Sequence, residues 1–429
     1  MGGFRVKDAR CTDTSISFAV MNEGNMNEGK VNEGKWVRLK AKKESSILRL
    51  HPWVFSGAIK EGTPGLQPGD IVEVLAHKGR SLGWGHYSPG TSIAIRMLTF
   101  DESKPDSEWW EHQVSNAVAL RKRLGLLGAE AQNVCRLIHA EGDGLPGLIV
   151  DHYNGYVVVQ THSMGMAKNL DTISSALVQA LGPDLKGIYN KSEKVLKKHG
   201  ASDPQPDGWI RGGNDQDTVI AHEYGMALEV DIVRGQKTGF FLDQRENRAL
   251  LRSLSAGRKV LNVFSYTGGF SVASLFGGAS HAVSLDSSAR ALEVAVANAS
   301  RNGFDETRHS IVEADALEYL KSGVADFDIV VLDPPAFAKS ASARHSAVQG
   351  YKRINQRALE TMRPGSLLFT FSCSQAVDDR LFTNTVIAAA IGAGRKVRIL
   401  HRLHQPPDHP VSAFHPEGAY LKGLVLEVS

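Results

Sequence analysis

The sequence predicts an α/β protein: a doubly wound parallel sheet in the C-terminal half, preceded by a small β-barrel and a central α+β domain. Three observations carry that expectation. Strand-like and helix-like segments alternate from about residue 260 onward, as in βαβ units. One of those strands, Ile329 to Leu332, is an unbroken apolar run rich in β-branched residues, which is how a strand buried on both faces reads. Between residues 36 and 100, short strands are instead punctuated by Pro64-Gly65, Pro68-Gly69-Asp70 and Pro89-Gly90.

Composition bounds the rest. A chain of 429 residues is long enough for two or three domains, and a net charge of +3 announces no global affinity for nucleic acid, so any such surface must be local. Cys11, Cys135 and Cys373 show no paired spacing, which fits a reduced cytoplasmic chain. No apolar run approaches the ~18 residues that span a bilayer. The apolar patch at 16–21 lacks the basic flank and cleavage pattern of a signal peptide.

Taken in order, residues 1–35 repeat Asn-Glu-Gly at Asn22, Asn27 and Asn32 in a polar string that cannot bury a core, so a disordered leader is expected. Strands are expected at 36–39, 71–75, 83–87 and 93–98, building a barrel over 36–104. Its first part gathers Arg38, Lys40, Lys42, Lys43, Arg49 and Lys60 near His51, Trp53 and Phe55. Basic side chains neutralise phosphates and rings stack on unpaired bases, a mixture that suits structured RNA. A solvated charged edge reads the same way, and Trp53 and Phe55 are expected in the barrel core.

A helix capped at Asp106 or Ser107 and running to about 125 opens the central domain, 105–205. Strands at 135–139, 148–153, 156–161 and 187–190 and a helix at 166–181 complete it, and the Pro-, Gly- and Asp-rich stretch 201–217 reads as a linker. The last domain, 206–429, starts with a strand at 226–233 and the glycine-bearing polar loop 234–245. Strands at 260–263, 282–286, 310–313, 328–332, 366–372, 396–401 and 420–428 then alternate with helices at 269–276, 289–302, 316–321, 349–362 and 379–390.

In such sheets ligands sit beyond the carboxyl ends of the strands. The first strand of the series runs into Phe264, Ser265, Tyr266, Gly268 and Gly269, and a glycine pair there lets backbone approach a ligand. Asp286 ends the next strand, where a carboxylate bonds ribose hydroxyls. Asp315 closes the third, within reach of an adenine edge. Asp333 ends the fourth, held extended by Pro334 and Pro335, although an aspartate in a turn reads alike. The loop is not G-x-G-x-x-G, so a dehydrogenase's pyrophosphate cradle is missing. An adenosine ligand without phosphates fits better, and S-adenosylmethionine is the common one.

Cys373, between Ser372 and Ser374, ends the strand after that of Asp333 and should share its edge. A cysteine in a strand is ordinarily an inert small hydrophobe. A thiol beside a methyl donor, however, is what methylation of pyrimidine C5 needs. Addition of a thiolate to C6 turns C5 into an enamine carbon able to attack a sulfonium methyl, after which a base takes the C5 proton and the thiol is eliminated. Asp333 would hold the N3/N4 edge of cytosine. The base must leave its stack, and Phe337 would receive it.

The stretches HPWVFSGAI (51–59), KTGFFLDQRENR (237–248), NVFSYTGGF (262–270), LDPPAF (332–337), GYKRIN (350–355), FSCS (371–374) and DHPVSAFHPEGAYLKG (408–423) together resemble the bacterial 23S ribosomal RNA cytosine-C5 methyltransferases of the RlmI type. The resemblance runs from about residue 36 to the end. It implies an N-terminal PUA RNA-binding domain, a small central domain and a class I, Rossmann-like methyltransferase domain. It puts the nucleophile on Cys373, and Asp333, from its place on the same edge, would assist. S-adenosyl-L-methionine would be held by Phe264 to Gly269, Asp286, Asp315 and Asp333, with Gln244 in the preceding loop. RNA contacts are expected at Arg38, Lys40, Lys42, Phe337 and Lys352, and no metal. The implied partner is 23S ribosomal RNA or an assembling large subunit, with a homodimer allowed. Some relatives carry Lys where this chain has Ala336, and no cysteine follows Asp333-Pro-Pro, so Cys373 would act alone. Three other readings stand: a metal site at His401, His404, Asp408, His409 and His415; methylation of a guanine nitrogen, which needs no thiol; and a non-catalytic RNA-binding ribosome assembly factor.

Overall fold

Strand Trp36–Leu39 pairs antiparallel with Ile59–Gly62 and parallel with Ile71–Leu75, and Ser81–Tyr87, Ile93–Thr99 and Trp53–Phe55 extend the sheet on the far side. The two edge strands, Trp53–Phe55 and Ile59–Gly62, are separated only by the 3-10 turn Ser56–Ala58. The sheet therefore has to curl until its edges approach, around a core of Val37, Leu39, Val54, Val72, Val74 and Ile95. The computed structural model describes residues 34–213, 217–338 and 341–429; the expected leader lies outside these but for residues 34 and 35. Lys35–Ser429 form one unit.

The helix Ser107–Arg123 starts where expected, with the Asp106 carboxylate accepting from Trp109 N at 2.9 Å. With Leu170–Leu181 it covers one face of a five-stranded sheet, ordered Gly208–Gly212, Gly187–Asn190, Tyr156–Thr161, Leu148–Tyr153, Val134–His139. The helix expected at 166–181 is two, Met164–Lys168 and Leu170–Leu181, interrupted at Asn169, whose amide folds back onto Gly165 O at 2.8 Å. The stretch 201–217 is not a free linker. Its residues Gly208–Gly212 pair with Gly187–Asn190, so the central sheet passes the expected boundary at 205/206. A hairpin, Thr218–Glu223 with Met226–Asp231, packs Val219, Leu228 and Val230 between this sheet and Phe240 and Val272 of the last domain.

The last domain is built on seven strands: β1 (Lys259–Val263), β2 (His281–Asp286), β3 (His309–Glu313), β4 (Ile329–Leu332), β5 (Leu367–Ser372), β6 (Val397–Leu403) and β7 (Lys422–Val428). Their order is β3-β2-β1-β4-β5-β7-β6, parallel from β3 to β5, with β7 antiparallel to both its neighbours. The chain leaves β1 toward β3 and then returns to build outward from β4. The carboxyl ends of β1 and β4 therefore flank a crevice at the switch point. Every residue of β4 is buried, as its apolar run requires.

The segment between β6 and β7 ties this domain to the central one through a buried ion network. Asp408 accepts two bonds from the Arg245 guanidinium, both 2.8 Å, and one from Arg136 N at 2.9 Å. Its carbonyl accepts from Arg121, which also forks onto Asp143 at 2.6 and 2.8 Å. Among the described residues no helix is long and apolar enough to cross a membrane.

Candidate active site

Sheet order sets the candidate residues in a row. Asp315 lies just past β3, Asp286 ends β2, the loop from Phe264 follows β1, Asp333 follows β4 and Cys373 follows β5. Paired strands lie ~4.8 Å apart, so Asp333 and Cys373 are on neighbouring strands while Asp315 is at the opposite end.

The loop after β1 is strained. Phe264 and Tyr266 have φ of 62° and 48°, a left-handed backbone that costs a bulky residue ~1–3 kcal/mol and persists only where the surroundings hold it. They do. Tyr266 N donates to Asp286 Oδ2 at 2.9 Å, and its hydroxyl accepts from Gln236 N at 3.0 Å and donates to Gly239 O at 3.1 Å. Gly268 (φ 77°) and Gly269 have a packing reason of their own. A Cβ at Gly268 would lie 2.8 Å from that of Ala295, and one at Gly269 3.0 Å from the Phe240 ring. Ser265 Oγ and Thr267 Oγ1 are buried without a hydrogen-bond partner among the described residues. Two hydroxyls are thus left for a ligand.

Asp286 also accepts from Ser288 N at 3.0 Å; its carboxylate is oriented yet keeps lone pairs for hydroxyl donors. Asp315 is exposed and caps the helix Ala316–Lys321 through Glu318 N at 3.0 Å. Neither Lys nor Arg occurs from Asn262 to Phe270. Such a carboxylate-rich edge repels a pyrophosphate and favours a cationic sulfonium, so the residues present fit S-adenosylmethionine. Replacing Asp286 with Ala should weaken the cofactor ~10- to 100-fold, since a hydrogen bond to a charged group contributes about 1.5–3 kcal/mol. Isothermal titration with S-adenosylmethionine measures this, and unchanged affinity would remove Asp286 from the site.

Across the switch point, Asp333 is raised to about 7 by burial and then by the ionised Asp243, with Gln244 and Lys237 opposing. Asp243 itself stays below the ordinary carboxylate range despite burial, held there by Lys237 (3.9 Å), His409 and the Tyr420 hydroxyl (2.7 Å). Gln244 is buried, and Asn247 donates to its Oε1 at 2.6 Å, which leaves its NH2 free to serve Asp333. Cys373 is partly buried. Burial and then Asp333 push its thiol up to about 11, while Lys237 and Lys422 pull the other way. Lys422 clamps the backbone beside it, donating to Ser374 O at 2.9 Å and Tyr420 O at 2.7 Å. The Tyr351 hydroxyl meets Ser374 Oγ at 2.8 Å, and Phe337 packs against Tyr351 with ring centroids 4.7 Å apart. Lys352 follows Tyr351, half-buried, on the helix Arg344–Thr361.

Asp243, Tyr420, Lys237 and Lys422 escaped selection from the sequence. All lie in the quoted stretches 237–248 and 408–423, but none ends a strand of the βαβ series.

The barrel residues expected to meet RNA lie apart from this row. Arg38 pairs with Glu61 at 3.1 Å and lies over the Trp36 ring, Lys40 donates to Gly57 O at 3.0 Å, and Lys42 is exposed. Trp53 and Phe55 are not the core residues expected. Phe55 is 50% exposed, and half-buried Trp53 donates its indole N–H to Glu141 at 2.8 Å, because the short edge strand turns both rings outward. The histidine-rich stretch is divided between two tasks. Asp408 and His409 join the ion network, whereas His415 meets His51 and Glu417. His51 Nδ1 accepts from Trp53 N at 3.2 Å, so the ring's proton sits on Nε2, 3.4 Å from Glu417 Oε2. His415 packs edge-on against His51, ring centroids 5.5 Å apart, and its Nε2 lies 3.8 Å from Glu417 Oε2; both of its ring nitrogens are buried without a hydrogen-bond partner among the described residues.

Comparison with known proteins agrees with this geometry. Residues 135–426 match the family model described as S-adenosylmethionine-dependent methyltransferase, and 37–100 match a PUA-like domain. A protein of Shewanella denitrificans named ribosomal RNA large subunit methyltransferase I is 40% identical over 400 residues, covering 91% of this chain and 99% of its own length. A Klebsiella pneumoniae protein of the same name is 39% identical over 391 residues, covering 90% and 96%. Among solved structures, a Streptococcus mutans chain assigned to the SAM-dependent methyltransferases shares the fold at 22% identity. Its TM-score is 0.78, with 91% of this chain and 99% of that one covered. A methyltransferase complexed with SAH matches with the same figures.

Proposed function

Because this chain belongs to the S-adenosylmethionine-dependent methyltransferases, among the proteins named ribosomal RNA large subunit methyltransferase I, we propose that it makes 5-methylcytosine in 23S ribosomal RNA with Cys373 as nucleophile. The observation that carries this reading is the adjacency of β4 and β5, which sets Asp333 beside a partly exposed thiol at the crevice. Bound S-adenosylmethionine supplies the electrophilic methyl; Asp286, Ser265 and the loop from Phe264 would hold it.

The protein's own groups then divide the work. The thiol rests protonated, so addition to cytosine C6 requires its proton to leave as the sulfur closes on the ring. An Asp333 carboxyl near 7 is partly protonated at neutral pH and can donate to cytosine N3 as negative charge builds there. Asp243, kept ionised beside it, prevents both carboxyls from ionising together. The charges of Lys237 and Lys422 favour the thiolate. Once the methyl is on C5, loss of the C5 proton and cleavage of the C6–S bond restore aromaticity and free the thiol. Phe337 beside Tyr351 offers a flat surface for the extruded base. Its partner on this reading is 23S ribosomal RNA, free or within an assembling large subunit.

Mapping 5-methylcytosine in large-subunit RNA from cells with and without this protein tests the substrate. One cytosine should lose its mark when the protein is absent. An unchanged map would favour the guanine-nitrogen reading or a non-catalytic assembly role.

A further inference from the structure

A cleft of about 340 Å³ opens between the barrel and the central domain, far along the chain from Cys373. Its floor holds Arg96, on the strand Ile93–Thr99, and His162; Met164 and Leu196 form an apolar side, and Ser92 and His199 stand at the rim. Arg96 is half-buried, and none of its side-chain nitrogens has a hydrogen bond or ion pair to a described residue. The carboxylate acting on it, Glu141, is already engaged by the Trp53 indole at 2.8 Å. His162 Nε2 is likewise buried without a partner. Burial first, and then the neighbouring His199, Arg136, Arg96 and Lys198, push the His162 ring down to about 4, so it is neutral and carries one N–H. Asp203, the one carboxylate on the lining among the described residues, is exposed at the rim. A half-buried guanidinium with no carboxylate of its own favours an anion that reaches it through the cleft. The space is the size of a small-ligand pocket, enough for one nucleotide.

We propose that this cleft is an RNA subsite, taking one unpaired nucleotide of the substrate strand with its phosphate on Arg96 and His162 and its ribose or base against Met164 and Leu196. The inference rests on the RNA-substrate reading above and extends it to residues away from the reacting centre. A phosphate there would hold a flanking part of the strand while the target base enters the crevice at β4 and β5.

The test measures the affinity of the full chain for a 23S ribosomal RNA transcript across a salt series, for wild type, Arg96→Gln, Arg96→Lys and Ser92→Glu. Arg96→Gln should raise Kd about tenfold and flatten the slope of log K against log salt by ~0.7, the value for one single-strand phosphate contact. Ser92→Glu, at the exposed rim, should weaken RNA binding without disturbing the floor, and Arg96→Lys should recover part of the loss. Affinity for S-adenosylmethionine should stay at the wild-type value throughout, which reports an intact fold. If wild type binds RNA and all variants bind it equally with an unchanged slope, the subsite falls and the RNA reading stands. If wild type binds no RNA, both fall. If Arg96→Gln loses inorganic phosphate but keeps RNA affinity, the cleft is a free-anion site and the proposal is overturned.

Discussion

Cys373→Ser should abolish methylation, lowering turnover on the order of 10⁴-fold or more, while binding S-adenosylmethionine as wild type does. Serine is close to cysteine in size and leaves untouched the hydrogen bonds by which Lys422 and Tyr351 fix the neighbouring Ser374 at the end of β5. What it removes is a sulfur able to add to C6. A hydroxyl ionises far less readily than a thiol even when that thiol has been raised to about 11. Single-turnover methylation together with cofactor titration separates the two effects. Retained activity would transfer the protein to chemistry that needs no thiol, with nitrogen methylation the first candidate on the same fold.

The second large effect concerns stability. Asp408→Ala should cost ~3–5 kcal/mol, because it removes the bidentate carboxylate from the buried Arg245 guanidinium, whose Nε keeps only the half-exposed Glu246 at 3.2 Å, and frees the N–H of Arg136. The same group makes the fold acid-sensitive. Burial alone would raise the Asp408 carboxyl, but His409 and Arg245 hold it far below the ordinary range. A carboxylate depressed in the folded state contributes its stability above the unfolded value of ~4 and loses it as pH falls through that range toward the folded value. Wild type should therefore lose denaturation midpoint steeply below pH ~4, and Asp408→Ala should start lower and fall less. Equal acid slopes in urea titrations of the two proteins would show that Asp408 is not the linked group.

Most of the architecture was legible because its signals are local. The apolar run of β4, the stop at Asp333-Pro334-Pro335 and the carboxylates at successive strand ends depend on neighbours in the chain, and the sheet order converts them into one edge. Gly208–Gly212 was hidden because its short Trp-Ile-Arg run is bracketed by glycines inside a Pro-, Gly- and Asp-rich stretch that resembles a linker. The Asp408 network was invisible for a different reason. Its partners lie 163, 272 and 287 residues away in the chain, so no window of sequence holds both ends of the bond. Asp408 consequently looked like one member of a histidine-rich metal set. Asp243 was passed over in the same way, since its importance comes from standing beside Asp333 across the switch point.

The most direct measurement is a denaturing gel of the protein incubated with S-adenosylmethionine and 23S ribosomal RNA carrying 5-fluorocytosine. Fluorine cannot leave as a proton does, so the C6–S bond cannot be broken after methyl transfer. Wild type should run as an RNA-linked species whose modified peptide contains Cys373, and Cys373→Ser should not. A methylated product with no covalent adduct, or an adduct retained in Cys373→Ser, would contradict thiol addition at the end of β5.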